Sequence, residues 1–247
     1  MGYYNIYLVV NVVQSIACFE VNRKIDLGDI QRSIETYVPR PKGTINLACE
    51  PVDISTLVES RIEGNQVAGT MEMVRVENKT FRGHPYQVPV PYNTEFDFID
   101  LSRLYLVVHA GRRTADQIAG ELNRIIHTVG GIALRKSLDN KKIRKLFRNV
   151  QGQYVSVLGS KAAAPPGKEM QYQKYIVGAV PPGALSPYPD IFYLTFKMKK
   201  YDDLTISVTD ESQITLYNAA ITMGKGKPVT VDKKFAKKFS IDEILPL

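Results

Sequence analysis

The stretch Ile191–Lys199 (IFYLTFKMK) constrains the fold most, because Phe192, Leu194, Phe196 and Met198 alternate there with Tyr193, Thr195 and Lys197. Side chains along a strand point to opposite faces in turn, so this run demands a sheet with one buried face and one polar face. Leu204–Val208 and Ile214–Tyr217 follow at hairpin spacing, joined through Thr209, Asp210, Glu211 and Ser212. A sheet with one apolar face needs covering, and two amphipathic stretches supply it. Ile118, Leu122, Ile125, Ile126 and Val129 share a helical face behind a Thr114 and Gln117 capping box, with Gly130-Gly131 as the stop. Ile143, Leu146, Phe147 and Val150 form a second, shorter apolar stripe. The reading is α+β, an antiparallel sheet with helices on one face.

Elsewhere the signals are weaker. Residues 3–13 form a Val/Ile/Tyr run that continues as Ser15–Val21, too long for one strand, so a bulge near Gln14 or a second strand is expected. Asp26 reads as the N-cap of a helix carrying Leu27, Ile30, Ile34 and Tyr37, ended by Pro39 and Pro41. Within 42–100, Thr70–Glu77 reads as a strand. The PYQVPVPY stretch (85–92) is extended, but its prolines confine it to a sheet edge or a surface loop. Gly159–Lys168 reads as a linker, and a Ser240 and Glu243 capping box as the start of a terminal helical turn. The expected organisation is a first αβ half at 1–132 with a long excursion at 42–100, a basic connecting helix at 133–150, and a strand-rich half at 151–247.

Charge separates the function classes. The net charge is +7, and it is concentrated. Arg135, Lys136, Lys141, Lys142, Arg144, Lys145 and Arg148 face one acid, Asp139, in a window of net +6. Lys225, Lys227, Lys233, Lys234, Lys237 and Lys238 face only Asp232 in a window of net +5, which leaves −4 over the rest of the chain. Local basicity of this kind is the footprint of a polyanion site, set against a purely solubilising surface. Two cysteines, Cys18 and Cys49, make no disulfide framework, and the apolar start lacks a basic leader region and is too short to span a bilayer. The expected setting is intracellular: cytoplasm, nucleus or viral factory, with no membrane partner. His84, His109 and His127 are too scattered for a metal site, and no phosphate-binding glycine loop or nucleophile elbow occurs. Pro189-Asp190 with Lys197 and Lys199 only faintly matches a metal-dependent nuclease motif, whose second acid is missing. No catalytic residue, metal or cofactor is expected, and the chain reads as a non-enzyme.

Asn11-Val12-Val13-Gln14-Ser15-Ile16 with Ile25-Asp26-Leu27 resembles the opening of a TATA-binding-protein repeat. Leu106–Thr114 with Ala115-Asp116-Gln117 resembles that repeat's last strand, glycine turn and closing helix. Tyr188–Phe192 through Lys197–Lys199, then Leu204–Val208 and Ile214–Ala219, are similar to the second repeat in the family's order. The resemblance implies a curved antiparallel sheet of two pseudo-symmetric repeats that sits on the DNA minor groove, where phenylalanine wedges kink the duplex. It places Asn11 and Val13 on the concave face, Val108 and Ala110 on the first repeat's last strand, Thr215 and Tyr217 as their counterparts, and Phe192 as the wedge. Ser207 stands where another phenylalanine would be wanted, no first strand for the second repeat is legible between 150 and 180, and Pro228–Leu247 makes a poor closing helix. These departures imply a divergent member, of the kind a large DNA virus encodes.

Two functions follow as expectations. The first is a DNA-binding transcription factor with transcription-protein partners, holding double-stranded DNA on the sheet with Arg135, Lys136, Lys141, Lys142, Arg144, Lys145 and Arg148 on flanking phosphates. The alternative is a structural or packaging protein, viral in setting, that holds nucleic acid or acidic partners through the basic clusters.

Overall fold

Apolar alternation becomes strands, and 3.6-residue spacing becomes helices, wherever the computed structural model describes the chain: residues 13–21, 25–39, 43–47, 50–54, 56–126, 134–160, 173–176, 190–217 and 231–247. The first elements are β1 (Val13–Val21), α1 (Leu27–Glu35), β2 (Gly43–Leu47), β3 (Glu50–Ile54), β4 (Leu57–Glu63), β5 (Gln66–Phe81), β6 (His84–Asp100), β7 (Leu104–Val108) and α2 (Arg112–Ile125). Then come β8 (Leu134–Lys136), α3 (Asn140–Asn149), β9 (Gly152–Ser160), β10 (Gln173–Ile176), β11 (Asp190–Met198), β12 (Leu204–Thr209), β13 (Gln213–Tyr217) and α4 (Lys233–Phe239). A π-helical turn, Ser240–Ile244, continues α4. The class is α+β with antiparallel pairing, as the alternation required.

The chain divides into a central unit, Phe19–Arg135, and a C-terminal unit that joins Met1–Cys18 to Lys136–Leu247. This redraws the expected halves. Val13–Ala17 of β1 pairs antiparallel with Gln213–Tyr217 of β13, which ties the first residues to the last strands. The helix expected as a connector at 133–150 is α3, an integral part of the C-terminal unit packed on β9 and β11.

In the C-terminal unit the strand order is β10-β9-β11-β12-β13-β1. Leu194, Phe196, Met198, Ile206, Val208, Ile214, Leu216 and Ile16 are all completely buried, and so are Ile143 and Leu146 of α3. The Phe147 ring meets Phe196 edge-on at 5.1 Å. Asp139 caps α3 by accepting from Lys142 N–H at 2.8 Å. Between 150 and 180, where no strand was legible, the chain forms β9 and β10, and β9 takes in Gly159 and Ser160 of the expected linker. The closing helix is capped by Asp232, which accepts from Phe235 N–H at 2.7 Å. The Ser240 and Glu243 pair is therefore no capping box. Ser240 lies inside the helix and donates to the Ala236 carbonyl, while Glu243 accepts from Lys200 and Tyr201.

In the central unit Asp26 caps α1 as expected, accepting from Asp29 N–H at 2.7 Å, but the helix ends at Glu35 and Tyr37 lies beyond it. The α2 start also differs. Gly111 is the N-cap, without a side-chain cap bond, and Thr114 and Gln117 sit within the helix, which begins as soon as the chain leaves β7. Its expected apolar face holds, with Ile118, Leu122, Ile125 and Ile126 buried; Val129 and Gly130-Gly131 lie outside the described residues.

The 42–100 excursion is not a loop. It contains the β2–β3 hairpin and strands β4, β5 and β6, which continue into β7 as a meander whose central hairpin pairs Gln66–Phe81 with His84–Ile99 in continuous register. Pro85, Pro89 and Pro91 are tolerated because they share parity. Glu95 offers its carbonyl to His109 N–H at 2.9 Å on the β7 side, so odd-numbered backbone groups of β6 face away from β5. The three missing N–H groups thus all fall on an edge, as expected for prolines in a sheet. The turn at Arg82-Gly83 has positive φ at both residues, the type I′ geometry that matches strand twist.

One glycine is forced by packing. A Cβ at Gly69 would lie 2.4 Å from the Phe96 ring and 2.6 Å from the Glu59 carbonyl oxygen. Gly69→Ala is expected to cost about 1–3 kcal/mol by overpacking, read as a lower denaturation midpoint, with Phe96→Leu partly rescuing it.

Candidate nucleic-acid interface

The side of the C-terminal sheet that does not carry Leu194 and Phe196 is a field of hydroxyls. Register aligns Thr195, Ser207, Thr215 and Ser15 in one row across β11, β12, β13 and β1, with Lys197, Thr205, Tyr217 and Val13 in the next. Ser207 is the hub. Its Oγ lies 2.9 Å from Tyr193 OH and 2.8 Å from Thr195 Oγ1, and it donates to Tyr217 OH at 3.4 Å. A serine hydroxyl has one proton and two lone pairs, so accepting from Tyr193 and Thr195 while donating to Tyr217 uses its full capacity. Ser207 and Thr195 are buried, and Tyr193, Thr215 and Tyr217 are half-buried. Burial holds the Tyr217 phenol above its ordinary range. Tyr193, Thr195, Ser207 and Tyr217 therefore satisfy one another as a fixed network.

The α3 cations lie on the other side of that sheet. The apolar stripe of α3 packs on β11, which turns Lys141, Arg144, Lys145 and Arg148 away from the sheet; Lys141, Lys145 and Arg148 are exposed and Arg144 half-buried. The π-helical continuation of α4 packs against α3, so Lys233, Lys234, Lys237 and Lys238 join the same helical layer. Lys142 is half-buried and donates to the Ser137 carbonyl at 2.7 Å. Arg135 and Lys136 fall in β8. The C-terminal unit carries 18 basic and 10 acidic residues, formally +8, whereas the central unit carries 14 and 15, formally −1. All of the protein's excess positive charge is thus in one unit.

The expected site residues are not gathered onto one surface. Thr215 and Tyr217 stand on the hydroxyl field, with Val13 paired to Tyr217, while the α3 cations cover the opposite side. Asn11 lies outside the described residues. Val108 is completely buried opposite Phe96 in the central unit, so its place on a DNA-facing surface is corrected: it is a core residue. Ala110 is half-buried just beyond β7. Phe192 is half-buried at a bulge, where the β11–β9 register shifts between Ile191 and Tyr193.

Two further groups bear on chemistry. His109 Nε2 lies 2.9 Å from Asp97 Oδ2 with both side chains 5% exposed, and His109 Nδ1 is buried without a hydrogen-bond partner. His109 is thus a packed side chain just beyond β7. Its partner was missed because Asp97 hides inside the apolar run FDFID. Burial pushes the Cys18 thiol up to about 12, which removes it as a nucleophile at neutral pH. Among the described residues no cluster of three or more His, Cys, Asp or Glu side chains could hold a metal, and no helix is long and apolar enough to cross a membrane.

No protein-family model matches the chain, and no curated protein matches its sequence.

Proposed function

We propose that this protein is a non-enzymatic nucleic-acid-binding protein that holds the phosphate backbone of double-stranded DNA through the α3 and α4 cations of its C-terminal unit. The observation that carries this reading is the segregation of charge, +8 in one unit against −1 in the other, with the cations of α3 and α4 in one helical layer. Lysines and arginines so placed neutralise phosphates and release condensed counterions, which supplies affinity without reading bases. This mode fits a structural or packaging role.

A second reading, the TATA-binding-protein-like saddle, is favoured by element order. The central unit runs α1, β2 to β7, α2, and the C-terminal unit runs α3, β9 to β13, α4; apart from the separate β2–β3 pair and the edge strand β10, each is a helix, four antiparallel strands and a helix. In that reading the hydroxyl field and Phe192 meet the minor groove. Fluorescence anisotropy with AT-rich and GC-rich duplexes separates the two. Equal affinities, unchanged by Phe192→Ala, support backbone binding. AT-selective binding weakened by Phe192→Ala and Tyr217→Ala supports the saddle, and absence of binding to either duplex at low salt sinks both.

A further inference from the structure

The β5–β6 hairpin outruns its neighbours. β4 pairs with β5 only as far as Glu72, and β7 pairs with β6 only from Phe96 onward. The arm between, through Arg82-Gly83, has no strand hydrogen-bonded to either edge among the described residues. A lone two-stranded ribbon is marginal in water, and unpaired edges template further pairing. The two edges here are treated differently. The β6 edge is blocked by Pro85, Pro89 and Pro91, whereas β5 has no proline. Odd-numbered groups of β5 pair with even-numbered groups of β6, so the N–H and C=O groups of Val74, Val76, Asn78 and Thr80 point outward. Val76 is 37% exposed and Phe81 64% exposed.

We propose that this open edge of β5 is a self-association surface, on which two copies of the chain pair β5 against β5, antiparallel about a two-fold axis at Val76. The charge order selects the occupant. A two-fold axis perpendicular to the sheet sets residues of equal parity opposite one another, and with Val76 on the axis Arg75 of each copy faces Glu77 of the other. Moving the axis to Glu77 would set Glu77 against Glu77 and Arg75 against Lys79, both like-charge pairs that destabilise. Moving it to Asn78 replaces the central valine pair with a poorer strand former. With Val76 central, the outward groups form the hydrogen-bonded pairs Val76 with Val76 and Val74 with Asn78, and Pro89, Val76, Val76 and Pro89 make one apolar stripe across both hairpins. Within one chain Glu77 already binds Arg75, and Lys79 at 2.7 Å, which leaves only one net positive charge per copy along 73–81. The closed two-fold contact consumes the edge and stops at a dimer.

Sedimentation equilibrium of the full chain, free of nucleic acid, tests this. The wild type is expected to dimerise. Val76→Pro is expected to weaken the dimer about tenfold or more, because it removes the two central intermolecular hydrogen bonds and no intramolecular one. Arg75→Glu weakens it, and Arg75→Glu with Glu77→Arg restores it by exchanging the facing charges. A wild type that stays monomeric at every concentration overturns the proposal. So does a dimer indifferent to Val76→Pro, or a double exchange no tighter than Arg75→Glu alone.

Discussion

The triple variant Lys141→Glu, Lys145→Glu, Arg148→Gln is expected to bind duplex DNA about a hundredfold more weakly than the wild type at physiological salt. All three side chains are exposed on the outer face of α3, and the changes take the C-terminal unit from +8 to +3. Each lost phosphate contact removes one unit of counterion release, and the two glutamates add repulsion. The fold should survive. Ile143, Leu146 and Phe147, which hold α3 on the sheet, are untouched. A glutamate at 141 sits favourably near the helix N-terminus, and glutamine at 148 avoids placing an anion at the C-terminus. Anisotropy titration beside a thermal melt checks both halves. Retained affinity would remove α3 from the interface.

The largest stability effect is expected at Phe196. It is fully buried in β11 between β9 and β12, with Phe147 edge-on at 5.1 Å. Phe196→Ala empties that contact and leaves a cavity under α3, at a cost of about 3–5 kcal/mol. Lys197→Ala, one residue along on the polar face and exposed, should change stability by no more than about 0.5 kcal/mol. Chemical denaturation of the two variants measures how far strict alternation governs this unit. Equal effects would mean that β11 is not the two-faced strand described.

That alternation was the most legible feature of the chain because Leu194, Phe196 and Met198 are completely buried on one face of β11, but it misplaced Phe192, which is half-buried at the bulge while Ile191 takes the fully buried place. The hairpin through Thr209–Ser212, the Asp26 cap and the apolar stripes of α2 and α3 were legible for similar local reasons. The long β5–β6 hairpin was not, since proline is a strand breaker unless its missing N–H faces an edge, and only the register reveals that Pro85, Pro89 and Pro91 all do. Capping signatures misled twice. Thr114 and Gln117 carry the pattern, but the turn after β7 starts α2 at Gly111. Ser240 and Glu243 carry it too, but Asp232 has already started that helix. The cations were visible as composition. Their separation from Thr215 and Tyr217 was not, because it depends on which face of the sheet α3 covers, and that is settled by Phe147 meeting Phe196.

The dependence of DNA affinity on salt tests the central claim most directly. With phosphates held by the exposed cations of α3 and α4, the logarithm of the binding constant should fall linearly with the logarithm of salt, with a slope of about −4 to −6. AT-rich and GC-rich duplexes should give the same line. A slope near zero, or no binding at low salt, would contradict the account and leave the basic layer as a solvated surface.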